Sequence, residues 1–286
     1  MLVNEVYTTV KGLIGKTPES RYGLKSGWPA FDRSTRGFLP GKLYTVAARP
    51  GGGKTSWCTS LISGVIKQYV GGVLMISTEL DECEVVAQVM ECHAGGIPLY
   101  PNRRSSCEEE MDALRLSLAK VRTAMETNMV RIVHAKRLST EFVVRSIEDY
   151  ANAVGGSVLV LVDQVNRIRR KDSDGYAIAT EHMLNEMEEI AGKTACPIVL
   201  MSQLSRAADS HEKPTVADIK HSGAFEEFSH AVYLLHLEKD ENRRPTGYAN
   251  VIVAKNRSGM VGEIEFEFDG ECHTWSERRE RYAETR

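Results

Sequence analysis

Short apolar runs separated by longer amphipathic stretches fill most of the chain. The run from Leu43 to Ala48, with Val73–Ser77, Val130–Val133, Val158–Val162 and Ile198–Met201, reads as strands apolar on both faces. Helix-period stretches lie between them, from about Asp81, across Glu108–Thr127, across Thr140–Val154 and over Ala177–Ala191. Apolar strands bounded by helices predict a mostly parallel sheet covered on both sides. Beyond Ala231 the pattern changes to strands alone, at Ala231–His236, Tyr248–Val253 and Glu263–Phe268. The turn Asn256-Arg257-Ser258-Gly259 joins the last two as a hairpin.

The two ends differ from this body. Val3, Val6, Tyr7, Val10, Leu13 and Ile14 recur at helical spacing over residues 2–14, and Thr17-Pro18-Glu19-Ser20 follows as a linker. A helix so short is marginal alone and needs a surface to lie on. Its own domain or a neighbouring subunit would serve, and periodicity does not choose between them. The last ten residues are charged and read as a solvated tail. The expected division is a linker helix and linker over 1–21, one α/β domain over 22–275 and a tail over 276–286.

Composition adds exclusions. Hydrophobic content of 42% and charged content of 26% over 286 residues are those of an ordinary globular chain with an ample core. A net charge of −3 excludes a globally basic nucleic-acid binder, so any such contact must come from local basic loops. The six cysteines are scattered without a CxxC pair, which predicts reduced thiols in a cytosol-like compartment. Cys92-His93 and Cys272-His273 do not suggest a metal, because adjacent side chains do not easily aim at one ion. Asn4, Glu5 and Lys11 interrupt the first apolar residues, so neither a signal peptide nor a membrane span is expected.

The candidate chemistry begins where the first core strand meets Arg49-Pro50-Gly51-Gly52-Gly53-Lys54-Thr55-Ser56. This is the layout of a phosphate-binding P-loop, in which glycines let backbone N–H groups curl around phosphate oxygens at a helix N-terminus. Lys54 would reach the β and γ phosphates of a nucleoside triphosphate, and Thr55 would offer its hydroxyl to Mg²⁺. Ala48 stands where the usual motif has its first glycine.

Other polar residues end core strands, where parallel sheets bind ligands. Asp163 closes the run Val158–Val162 as a Walker B aspartate does and is assigned to magnesium. Gln164 follows it, so the catalytic carboxylate expected beside it in many ring ATPases must come from elsewhere; Glu79 is the candidate base. Glu79 also reads as a helix N-terminal acid. Gln203 is a candidate γ-phosphate sensor or a surface amide. Lys255 and Arg257 share one side of the hairpin and suit phosphates, including those of a neighbouring subunit; they suit equally a solvated edge. Two basic loops lie beyond strand ends, Arg167, Arg169, Arg170 and Lys171 in one and Lys220, His221, Ser222 and Gly223 in the other. Charge runs are usually solvated loops; as a binding surface these two, without interleaved aromatics, suit a phosphodiester backbone better than stacked bases.

Taken together, these segments resemble the hexameric replicative helicases of the DnaB type, within the RecA-like ATPases. The resemblance runs from about Tyr22 to Phe268. It rests on Ala48-Arg49-Pro50 with Gly-Lys-Thr, Ser77-Thr78-Glu79, Asp163-Gln164, Ser202-Gln203-Leu204-Ser205-Arg206, Asp218-Ile219-Lys220-His221-Ser222-Gly223-Ala224-Phe225-Glu226 and Ala254-Lys255-Asn256-Arg257-Ser258-Gly259. It implies ATP and Mg²⁺ at Lys54, Thr55 and Asp163, Glu79 as catalytic base and Gln203 as sensor. Lys255 and Arg257 become a lysine and arginine finger acting on the adjacent subunit. Lys220, His221 and Gly223 fall in a central-channel loop that holds single-stranded DNA, although Lys220-His221 replaces the family's Arg-Glu there.

The implied protein is an ATP-driven motor on single-stranded DNA in a bacterial cell or phage-infected host. It would form a homo-oligomeric ring, six-membered by the family's habit, moving 5′-to-3′ with helicase loader and primase as partners. The residues 2–14 helix would dock on the next protomer. The family's N-terminal collar domain has no counterpart in this sequence, which reads as a short form or a fragment. A RecA-like recombinase filament and a weakly hydrolysing assembly factor are the alternatives.

Overall fold

A computed structural model describes residues 22–69, 71–100, 107–136, 138–169, 176–205, 212–220, 222–242 and 244–278. The expected linker helix at 2–14 lies outside them. Helix α1 (Pro29–Thr35) opens the domain, with Pro29 at its first position, and strand β1 (Leu43–Ala48) leads through the glycine turn into α2 (Lys54–Gln68). Then come β2 (Gly72–Ser77), α3 (Glu82–His93), α4 (Glu108–Glu126), β3 (Val130–His134) and the two-residue β4 (Leu138–Ser139). Helix α5 (Thr140–Val154), β5 (Val158–Asp163), β6 (Ile168–Arg169), α6 (Tyr176–Thr194), β7 (Ile198–Gln203) and α7 (Ser222–Phe228) follow. Strands β8 (Ala231–Lys239), β9 (Pro245–Asn256), β10 (Gly262–Asp269) and β11 (Thr274–Glu277) close the chain.

Among the described residues one sheet holds nine strands in the order β11-β10-β9-β8-β1-β7-β5-β2-β3. The six strands from β8 to β3 run parallel, and β9, β10 and β11 extend the β8 edge antiparallel. This is the expected mostly parallel α/β sheet with a C-terminal hairpin. Alternation along each strand splits the core in two. Tyr44 and Val46 of β1 and Leu159 and Leu161 of β5 pack with Trp57 of α2 on one face. Leu43 and Ala47, Val158, Val160 and Val162 pack with Val143 and Ile147 of α5 and Met187 of α6 on the other.

Three features escaped the sequence pattern. Helix α1 is too short to show a period, and β4 and β6 form a separate two-stranded parallel pair. The third is β11, which carries the sheet past residue 275 to Glu277, so the expected tail boundary falls inside a strand. Glu277 is integrated into the fold, since its Oε1 accepts from the Phe31 N–H at 2.6 Å. All six cysteines are free, and no helix among the described residues is long and apolar enough to cross a membrane.

Candidate functional site

The turn between β1 and α2 needs glycine for steric reasons. Gly51 and Gly53 have φ of 69° and 74°, which L side chains rarely adopt. A Cβ on Gly52 would lie 2.8 Å from the Arg49 carbonyl oxygen and 2.9 Å from the Ala48 methyl. Ala48 itself is the last residue of a buried strand, so the first glycine of the usual motif is not needed there. The Gly53 carbonyl accepts from the Trp57 N–H at 2.8 Å and from the Trp275 indole Nε1 at 3.0 Å. Strand β11 therefore holds the turn from behind, a role that a lone tryptophan in a charged C-terminal stretch did not signal.

Thr55, the second residue of α2, donates through Oγ1 to Asp163 Oδ2 at 2.7 Å. Asp163 is fully buried, and its Oδ1 has no hydrogen-bond partner. Burial pushes the Asp163 carboxyl above the usual carboxylate range, against the Thr55 hydrogen bond, with the Glu79 charge raising it further. Burial likewise lowers the Lys54 ammonium, while Asp163 and Glu79 oppose the shift. A buried carboxylate oxygen lacking a donor, beside a hydroxyl, is a hard-oxygen set that fits a divalent cation. Lys54 beside it supplies the charge that phosphates require.

Glu79 lies just past β2, one strand from Asp163, with Ser77 in register with Asp163. It is not the cap of the next helix. Asp81 has that task, accepting from the Glu84 N–H while Glu84 Oε2 accepts from the Asp81 N–H. Glu79 Oε1 instead accepts from Gln164 Nε2 and Arg167 Nη2, each at 3.0 Å. The strand ends are joined by Thr78, whose N–H donates to the Asp163 carbonyl at 2.6 Å and whose Oγ1 accepts from the Gln164 N–H at 3.0 Å. Gln203 ends β7 in register with Ala48, beside the glycine turn. One residue on, Leu204 pairs with Ile219, and the Ser205 N–H donates to the Asp218 carbonyl at 2.7 Å. Gln203 is thus tied to the segment that leads into Lys220.

Not every candidate joins this cluster. Lys255 and Arg257 sit at the far end of the sheet, beside the beginnings of β8 and β1. There Lys255 Nζ donates to the Glu226 carbonyl, and Arg257 Nη2 to the Glu227 carbonyl at 2.7 Å. Both cations thereby satisfy carbonyls at the C-terminal end of α7. Burial lowers the Lys255 ammonium, helped by Arg257. Lys220 and Gly223 flank the start of α7, and a Cβ on Gly223 would meet nothing within 4 Å. Arg169 belongs to β6, whereas His221, Arg170 and Lys171 lie outside the described residues. Asn166 was not anticipated; its Oδ1 accepts from Ser202 Oγ at 3.0 Å and ties the turn after β5 to β7. A lone asparagine in a polar turn carries no sequence signal of that kind.

A glycine turn from strand to helix, an aspartate and a glutamate on adjacent strand ends, and a parallel sheet extended by an antiparallel hairpin define a RecA-like P-loop fold. Two solved structures share the fold: an isolated ATPase domain with TM-score 0.86 and 21% identity, covering 97% of this chain and 99% of that one, and a DnaB-like replicative helicase described with its interactions with primase. The second has TM-score 0.84 and 20% identity, covering 98% of this chain and 67% of that one. The model of the DnaB-like helicase C terminal domain matches residues 23–277, and the chain belongs to that family. Relatives include the replicative DNA helicase DnaC of Bacillus subtilis (strain 168), 25% identical over 266 residues, 91% of this chain and 58% of that protein. Another is a probable replicative DNA helicase of Trieres chinensis, 24% identical over 259 residues, 86% of this chain and 55% of that protein. The chain thus spans little more than half the length of these relatives.

Proposed function

We propose that the chain is the ATP-driven motor of a ring-forming DNA helicase, with each ATP site completed by a neighbouring copy. The position of Arg257 supports this most directly. Asn256 pairs with Ala231, and Ala231 with Tyr44, so the hairpin cations lie level with the start of β1 while the glycine turn follows its end. That separation is roughly 13 Å along the strands and about 10 Å across them, beyond an arginine's reach. A finger so placed serves a phosphate held by another protomer.

In this reading the N–H groups of Gly51, Gly52, Gly53, Lys54, Thr55 and Ser56, with Arg49 and Pro50 shaping the turn, cradle the phosphates of ATP. Thr55 and Asp163 hold Mg²⁺, which when bound neutralises charge on the β and γ phosphates. Glu79 orients the attacking water and takes its proton. Gln203 contacts the γ-phosphate and passes its loss through the Leu204–Ile219 pairing to the loop of Lys220, His221 and Gly223, which with Arg169 and Arg170 grips a DNA backbone. Lys255 and Arg257 stabilise charge at the neighbour's site. Binding is sequence-independent and falls with salt, since phosphate contacts dominate.

Two exposed apolar features support assembly. Met260 and Val261, at the hairpin tip beside Arg257, are 75% and 64% exposed. Between α3 and α4 lies a groove of 540 Å³ lined by Val86, Met90, Leu114, Leu118 and Met125, which suits the amphipathic 2–14 stretch of the adjacent copy. The ring would have six subunits in a cytoplasm, moving 5′-to-3′ with loader and primase partners. The test is strand displacement on a forked DNA with ATP, with Glu79→Gln as blank. Unwinding lost in the mutant is the expected result. ATP-dependent filaments that exchange strands without unwinding would instead make the protein a recombinase, and absence of turnover on single-stranded DNA would overturn the motor.

A further inference from the structure

The cycle above leaves Arg167 unused, yet it touches the residue most central to that cycle. Glu79 Oε1 accepts two hydrogen bonds, and the donors differ in kind. Gln164 is buried, and its backbone N–H is fixed to Thr78 Oγ1, so its amide belongs to the rigid strand ends. The Arg167 side chain is 54% exposed, at the end of the single turn Val165–Arg167 that follows β5. The turn is anchored through Asn166 to Ser202 of β7, so the guanidinium can swing while the backbone stays put. Arg167 also opens the basic run Arg167-Ile168-Arg169-Arg170-Lys171.

A carboxylate oxygen offers about two lone-pair directions, and on Oε1 both are taken. A guanidinium recognises carboxylate and phosphate with the same planar fork. A half-exposed ion pair, unlike a buried one, is weak enough to be traded for another anion. We propose that Arg167 is a partner-exchange switch on Glu79, resting on the reading of Glu79 as the base. Without DNA it holds the carboxylate against Gln164, turned from the attacking water. A backbone phosphate of single-stranded DNA takes over the guanidinium, and the freed carboxylate turns to the water. Arg167 is thus a positioning residue, and the DNA dependence of ATP turnover originates in one side chain. Lys54 and Asp163 also neighbour Glu79, but both stay engaged with the nucleotide side of the site and do not exchange.

The experiment measures steady-state ATP turnover, with and without an oligodeoxythymidylate, for the wild type, Arg167→Gln, Arg167→Lys and Glu79→Gln, with melting curves run alongside. The wild type is expected to be slow alone and several-fold faster with DNA. In Arg167→Gln, kcat without DNA should rise several-fold toward the stimulated value, KM for ATP should hold, and the stimulation ratio should approach one. Arg167→Lys keeps the charge without the fork and should restore part of the ratio, which a merely structural role would not produce. If Arg167→Gln does not fold, a raised DNA-free kcat in Arg167→Lys carries the test. DNA-free turnover at or below wild type, or an unchanged ratio, would overturn the switch. Normal turnover in Glu79→Gln would overturn the base assignment instead, so the two failures are distinguishable.

Discussion

Arg257 donates through Nη2 to the Glu227 carbonyl at 2.7 Å, at the opposite end of α7 from Lys220 and Gly223. The residue proposed to complete a neighbour's ATP site is therefore a cap on the helix that follows the proposed DNA loop. A phosphate across an interface would compete with that carbonyl for the guanidinium. Engagement of the neighbour and the position of α7 are in this way coupled, and by linkage the coupling runs in both directions.

Arg257→Ala should abolish DNA-stimulated turnover while leaving ATP binding near wild type. Lys54→Ala should have the complementary defect, losing ATP binding but keeping its finger. Mixed in equal amounts, the two inactive variants should recover activity at about a quarter of interfaces, because random assembly places an intact turn beside a neighbour's intact finger with a chance of about one half times one half. A mixture as inactive as its components would rule out action between subunits.

Asp163 joins its proposed metal-holding role to a structural cost. Its Oδ1 is buried without a donor, and burial opposes its charge. Asp163→Asn keeps the shape and removes the charge. It should lose Mg²⁺-dependent turnover while melting no lower than wild type, because a buried charge opposed by burial is removed. A variant that is both inactive and less stable would show the carboxylate to be structural.

Trp275→Phe should retain the packing against Phe266 and Phe268 and lose the hydrogen bond to the Gly53 carbonyl. The expected cost is about 1 kcal/mol of stability, with weaker ATP affinity because the turn loses a restraint. Titration with a fluorescent ATP analogue measures the second effect; unchanged affinity would remove Trp275 from the site's support.

His93 and His230 are both pushed down to about 4, chiefly by burial, with Lys67 and Lys120 adding to the first and Lys42, Arg257 and Lys255 to the second. The unfolded chain then binds protons that the folded chain refuses between pH 6.5 and 4, so stability falls as the solution is acidified through that window. Each residue should contribute about 1–2 kcal/mol of the loss by pH 5. Melting at pH 7.5 and pH 5 tests this, and His230→Gln should flatten the decline if its own structure survives.

Most of the architecture was readable along the chain because a buried parallel strand must be apolar on both faces. That rule alone marks β1, β2, β5 and β7, and the change to strands after Ala231 marks the antiparallel edge. The pattern failed where an element is too short to show a period, as in α1 and the β4–β6 pair. It failed again where charged residues conceal a strand, as in β11, whose hold on the sheet comes from Trp275 and Glu277 finding partners far away in sequence.

The sequence by itself determined the chemistry on offer: a glycine turn before Lys54-Thr55, acids at the ends of core strands and a pair of cations in a hairpin. These depend on residue type and local conformation, which neighbours in the chain impose. Only the tertiary structure decided which groups meet. It brought Thr55 to Asp163, gave helix capping to Asp81 so that Glu79 was left to Gln164 and Arg167, and carried Arg257 to the end of the sheet farthest from its own glycine turn. Strand order and register set those distances, and both arise from contacts between segments that are remote in sequence.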